Sequence, residues 1–209
     1  MITPTISLLT SKSTKKCLRW KIKCNIYKLL CLSLPVFFLS GCISVSPNAV
    51  STIVSSEYDQ KNDVTEYSVF PYGSVSLPGK WERSVYNKTS RQQFFENQDS
   101  VLVAIAFGRF DNIEFNTDGT KKGYEFVKAY YDWESKYFEE TFGLQTIVIE
   151  ENQKENYLLY RFFGSYDGTN IDTYYLLRET NGNVSNFSVN GTNKWTEKEK
   201  ISFLKSLVK

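Results

Sequence analysis

The chain has 209 residues, including 15 Phe, 14 Tyr and 4 Trp, with 25 Lys and Arg against 23 Asp and Glu, and no histidine. The missing imidazole excludes Ser-His-Asp and Cys-His nucleophile systems, imidazole metal sites and histidine proton shuttles. All 23 acids lie after residue 42 and 7 of the 25 bases before it, so from there on 18 bases meet 23 acids, a net −5 that makes nucleic acid a poor partner.

Lys12, Lys15, Lys16, Arg19, Lys21, Lys23 and Lys28 precede an uncharged apolar run at residues 29–39, which ends at Ser40, Gly41 and Cys42. A basic n-region, an 11-residue h-region and small residues before a break mark a secretory signal. Spanning a bilayer takes about 20 apolar residues, so this run, interrupted by Pro35, reads as a leader. Leu39-Ser40-Gly41-Cys42 resembles a bacterial lipobox. The resemblance implies that residues 1–41 are a signal peptide, that Cys42 is lipidated, and that the membrane is a partner through this anchor. Two or more acyl chains hold a protein stably where one does so marginally. Ile43 stands where an Asp would signal inner-membrane retention in Gram-negative lipoproteins. The expected location is the cell envelope, facing the periplasm or exterior, with the outer membrane one candidate.

Cys17, Cys24 and Cys31 recur every seven residues inside the leader. Metal ligands must converge within a folded unit, so these three read as incidental. With Cys42 lipidated, the mature chain has no disulfide and no free thiol, and neither metal nor cofactor is expected.

Residues 42–65, rich in Ser, Val, Asn and Thr without a clear period, read as a flexible tether. Such a segment spans roughly 25–30 Å. Residues 66–209 read as one domain, with 66–70 either its first strand or the end of the tether. Pro78-Gly79 suits a type II turn, with Gly supplying positive φ. Strands are expected over 81–86, 92–96 and 101–108. In the last, Val101, Val103, Ile105 and Phe107 alternate with small Ala104 and Ala106, a face against which a helix can lie close. That helix is expected over 121–142. Phe126, Tyr130, Trp133 and Tyr137 fall on one stripe, Val127, Tyr131 and Phe138 widen it, and Gly143 stops it. Core packing explains the stripe better than a ligand box.

Strands then follow over 145–150, 156–163, 171–178 and 184–190. Asp167-Gly168 and Asn181-Gly182 are tight-hairpin turns, because both central residues need positive φ. Thr196 and Glu199 form a capping box for a final helix whose stripe is Ile201, Leu204, Leu207 and Val208. The order predicts an α+β fold, an antiparallel sheet of about six or seven strands covered by a long central helix and a C-terminal helix.

The Leu77-Pro78-Gly79-Lys80-Trp81 opening, the long helix after the central strand, the last meander and the Trp195-led helix resemble PsbP-like and DcrB-like domains. That resemblance implies an α/β/α sandwich over residues 66–209, exported or lipid-anchored in bacteria. It implies a binding or assembly role and brings no catalytic residues.

Few residues suggest chemistry. Ser202 and Lys205 have S-x-x-K spacing but lack the S-D-N and K-T-G partners. Glu139-Glu140 and Glu150-Glu151 are adjacent pairs whose side chains diverge, unlike the facing carboxylates of glycosidases. Asp111, Glu114 and Asp118 miss the EF-hand spacing. The sequons at Asn87, Asn186 and Asn190 read as chance in an Asn-rich chain. No catalytic residue is assigned. The expectation is a non-catalytic envelope domain that binds a protein or envelope component, with Tyr174 or Tyr175 exposed because adjacent strand residues face opposite ways. The alternatives are a carboxylate-based hydrolase and a small-molecule carrier with a pocket between sheet and helix.

Overall fold

Three short strands come first in the computed structural model, which describes residues 51–208: β1 (Ile53–Asp59), β2 (Val64–Phe70) and β3 (Gly73–Pro78), an antiparallel sheet in that order. Seven further strands form a second antiparallel sheet: β4 (Glu82–Asn87), β5 (Gln92–Glu96), β6 (Leu102–Arg109), β7 (Gln145–Asn152), β8 (Tyr157–Tyr166), β9 (Thr169–Thr180) and β10 (Asn183–Val189). Their spatial order is β4-β5-β6-β10-β9-β8-β7. The helices are α1 (Gly123–Phe142) and α2 (Glu197–Ser206). The fold is α+β, with the strands and both helices near where the sequence places them.

The tether expected over residues 42–65 is corrected from Ile53 onward, where strand structure begins, while residues 42–50 lie outside the described residues. Sequence periodicity misses β1 because it is an edge strand with Ile53 and Val54 exposed. It is held by its ladder to β2, where Ile53 faces Phe70 and Asp59 faces Val64, and not by one buried face. Residues 66–70, left open from the sequence, belong to β2. The three-stranded sheet is an addition to the expected architecture. Residues 1–50, among them the signal peptide expected over 1–41 and the lipidation expected at Cys42, lie outside the described residues.

The large sheet buries both faces. On one, Phe95, Val103, Ile105, Phe107, Leu159, Leu176, Phe187 and Val189 meet Tyr67, Val75 and Leu77 of the small sheet and Leu204 and Val208 from the C-terminal segment. Fully burying such a side chain stabilises by about 1.5–3 kcal/mol. Tyr67 lies edge-on to Phe95 at 5.0 Å. Gly73 allows the close approach, since a Cβ there would sit 2.5 Å from the Phe107 ring. At the link between sheets, Gly79 has φ +84°, as the type II turn requires. The Trp81 backbone N–H donates to Thr65 Oγ1 at 2.9 Å and its indole donates to the Pro78 carbonyl at 2.8 Å.

The opposite face carries the small side chains of β6 and receives α1. Glu179 of β9 accepts from the backbone N–H of Gly123 at 2.7 Å and of Gly182 at 2.5 Å. This buried carboxylate thus caps α1 across 56 residues of chain, where the positive end of the helix dipole favours it. At the other end Gly143 takes the left-handed conformation that closes a helix. The Asp167-Gly168 and Asn181-Gly182 hairpins have positive φ at both central residues, and the Thr196–Glu199 capping box is complete. No helix among the described residues is long and apolar enough to cross a membrane.

Candidate functional site

Ala106 and Gly108 of β6 leave space beneath α1 that larger side chains would fill. The result is a cavity of about 80 Å³. Roughly 10–15 Å³ by this measure admits one water, so several waters or a small ligand fit. Tyr130, Trp133, Glu134 and Phe138 of α1 form the roof, and Ala106, Tyr175, Val184 and Asn186 the sheet side. Its exposed lining residues, Arg91, Arg109 and Asn112, mark the mouth.

Glu134 is the one carboxylate in this lining, and only 4% of its surface is exposed. The Tyr160 hydroxyl donates to Glu134 Oε2 at 2.6 Å. Burial pushes the carboxyl up to about 7, while hydrogen bonds from Tyr160 and Tyr130 hold down part of the rise. Burial likewise pushes the hydroxyls of Tyr130, Tyr160 and Tyr175 up, so all three are neutral donors across the physiological range. Asn186, 6% exposed, stands opposite Ala106 on β6 and Leu177 on β9. Its Oδ1 is buried without a hydrogen-bond partner. A buried unpaired acceptor costs about 1–3 kcal/mol, and inside a cavity it marks where a donor belongs.

At the mouth, Arg109 is held by Asp111 through bonds of 2.9 and 2.6 Å. Arg91, in the turn between β4 and β5, has φ +56°, a conformation uncommon for a residue with a side chain. It makes no ion pair among the described residues. A wider groove of about 980 Å³ lies along Trp81, Trp195 and Phe203, but its charged groups Asp63, Lys80, Glu82 and Arg83 are exposed and Glu96 is half-buried. The α1 cavity joins buried polar atoms to an apolar wall, the usual make-up of a ligand site.

The residues weighed from the sequence lie elsewhere and apart. Lys205 is engaged by Glu150 at 2.7 Å, so the S-x-x-K spacing ends in an ion pair. Glu150 also accepts from Tyr157, and Glu151 from Tyr124. Glu139 and Glu140 are exposed on α1. Asp111 binds Arg109, Glu114 accepts from the Trp133 indole at 3.3 Å, and Asp118 accepts from Thr120 at 3.1 Å. These loop carboxylates are therefore turn and loop anchors, and no group suited to a metal occurs among the described residues. The expected exposure of Tyr174 or Tyr175 is corrected, because both are buried under the layers on the two sheet faces. Among the described residues the exposed aromatics are Phe70 and Tyr86. The aromatic stripe of α1 is core packing in part: Phe126 stacks on Phe115 at 5.6 Å, while Tyr130 and Trp133 also face the cavity.

No motif marks Glu134 or Asn186. The available signal for Glu134 is positional, since residues 127, 131, 134 and 138 share one helix face and the third is a carboxylate. Asn186 surfaces only in a sequon match, and its burial makes glycosylation there sterically unworkable.

No protein-family model matches the chain, and no curated protein matches it. Among solved structures it is similar to the solution structure of cyanobacterial PsbP (CyanoP) from Synechocystis sp. PCC 6803. Identity is 13%, the match covers 78% of this chain and 94% of that chain, and the TM-score is 0.37. No residue role carries across a likeness at that level.

Proposed function

We propose that the protein is a lipid-anchored envelope domain that binds a small polar molecule under α1 and performs no chemistry on it. Cys42 is the anchor, acylated after removal of residues 1–41, and it holds the domain facing the periplasm or exterior. The carrying observation is the α1 cavity, with a buried carboxylate and an orphaned Asn186 acceptor facing an apolar wall. A carboxylate-based hydrolase needs two acidic groups about 5–9.5 Å apart, and Glu134 is the only one in the lining. A nucleophile activated by imidazole is ruled out by composition. The net −5 from residue 42 onward speaks against nucleic acid as the ligand.

The test is mass spectrometry of the full chain purified from membranes in mild detergent. The reading expects a diacylglyceryl-modified N-terminal Cys42 and a non-covalent small-molecule adduct that Ala106→Phe, which fills the cavity, removes. A Cys42→Ala protein that stays in the membrane fraction would reject the anchor. An adduct unaffected by Ala106→Phe would reject the site.

A further inference from the structure

The cavity's polar atoms are short of donors. Glu134 accepts from Tyr160 at Oε2 and also from Tyr130, and Asn186 Oδ1 has no partner. A carboxylate has about four acceptor positions and an amide oxygen two. The group that meets both most economically is an ammonium, three donors on one atom with a charge that compensates the buried carboxylate. Tyr130 and Trp133 line the same space, and aromatic faces attract an organic cation once it is desolvated. At the mouth stands the guanidinium of Arg91, carried there by a turn in an uncommon backbone conformation. Guanidinium pairs bidentately with carboxylates and phosphates. A simple alkylamine leaves this cation unused and meets its repulsion on entry, whereas a molecule with an acid at its far end pairs with it.

We propose that the α1 cavity binds a small zwitterion of the amino-acid type, its ammonium seated between Glu134 and Asn186 and its acid group on Arg91. This rests on the reading of the cavity as a ligand site and names the class of its ligand. The groups facing Glu134 are Tyr130 from its own helix, Tyr160 from β8 and Tyr175 from β9, with Arg91 and the Arg109–Asp111 pair at the mouth. The tyrosines stay neutral because their hydroxyls are pushed up, so between pH 5 and 8 the carboxyl of Glu134 is the group that titrates. Below about pH 7 the ammonium must displace a proton from Glu134 into solvent, and above it the charged pair forms directly.

The experiment is calorimetric titration of the full chain in detergent with glycine, β-alanine, γ-aminobutyrate and 5-aminovalerate, and with butylamine and butyrate as single-ended controls. One or more of the zwitterions binds, butylamine binds more weakly, and butyrate does not bind. Affinity for the best probe falls roughly 100-fold from pH 8 to pH 5, about tenfold per unit below 7, with a proton released per ligand at the acid end. Glu134→Gln weakens all amines at least tenfold, and Arg91→Gln weakens the zwitterion to about the level of butylamine, while butylamine itself does not weaken and gains from the lost repulsion.

The proposal is overturned if no probe binds and the cavity holds only water. It is also overturned if butyrate binds as well as the amines, or if affinity in the unmutated protein is flat from pH 5 to 8, a result that needs no variant to fold. An adduct from membranes that contains no amine, found while every probe fails, overturns the zwitterion and leaves the ligand-binding reading standing.

Discussion

Replacing Glu134 by Gln isolates the energetic consequence of burying a carboxyl under α1. The ordinary value for a glutamate is 4.5, and here burial raises it to about 7. A group whose value is raised on folding contributes stability that is complete below 4.5 and is lost as pH climbs through 7, because the folded state then holds a desolvated anion. At about 1.4 kcal/mol per pH unit, the loss between pH 4.5 and pH 8 is about 3 kcal/mol. Glutamine stays neutral and still presents an oxygen to Tyr160. The variant therefore matches the unmutated protein near pH 5 within about 1 kcal/mol and exceeds it by about 3 kcal/mol at pH 8. At roughly 2–4 °C per kcal/mol for a domain of this size, that is about 6–12 °C in Tm. The carboxyls of Asp59, Asp111, Asp118, Glu150 and Glu199 are all held below their ordinary values by hydrogen bonds. Their contribution is present above the ordinary carboxylate range and lost as pH falls through it, which leaves the interval from 5 to 8 to Glu134. Urea unfolding followed by tryptophan fluorescence at pH 5, 6, 7 and 8, without added ligand, measures the difference. A constant gap between the two proteins across that range would refute the buried-carboxyl argument.

Asp172 joins Arg161 at 2.7 Å and Lys200 at 3.2 Å, and the Lys200 side chain is 4% exposed. Asp172→Asn strands that ammonium and costs about 3 kcal/mol, whereas Lys200→Met leaves Asp172 with Arg161 and stays within about 1 kcal/mol of the unmutated protein; equal losses in urea midpoints would contradict this. Thr196→Ala removes the capping box of α2 and costs about 1 kcal/mol by the same measurement, with the unfolding slope unchanged. Gly73→Ala drives a methyl into the Phe107 ring and destabilises by about 1–3 kcal/mol, and Phe107→Leu in the same chain restores part of the loss.

The seven-stranded sheet was legible because its interior strands bury both faces. The run at Val101, Val103, Ile105 and Phe107, and the turns at Asp167-Gly168 and Asn181-Gly182, are fixed by neighbours a few residues away. Thr196 and Glu199 announce α2 for the same reason, since a capping box is local hydrogen bonding. The small sheet was harder to read. β1 exposes most of its side chains and owes its place to β2, so no alternation betrays it. Tyr174 and Tyr175 show the opposite error: opposite facing was correct, but a second layer on each side hides both rings.

Sequence alone determined the residue inventory and its periodicities: no imidazole anywhere, all four cysteines within the first 42 residues, a charge that changes sign at residue 42, a long aromatic helix and a final meander. Those properties are local or compositional, so no folding was needed to read them. The cavity was decided only by tertiary structure. Glu134, Asn186 and Arg91 lie on a helix, a strand and a turn separated by dozens of residues, and none of the three is unusual where it stands in the chain. What brings them to one cavity is that Ala106 and Gly108 leave room for α1 to bury a carboxylate near an unpaired amide oxygen. Desolvation, which turns an ordinary glutamate into a group poised near neutrality, depends on what packs around it in space.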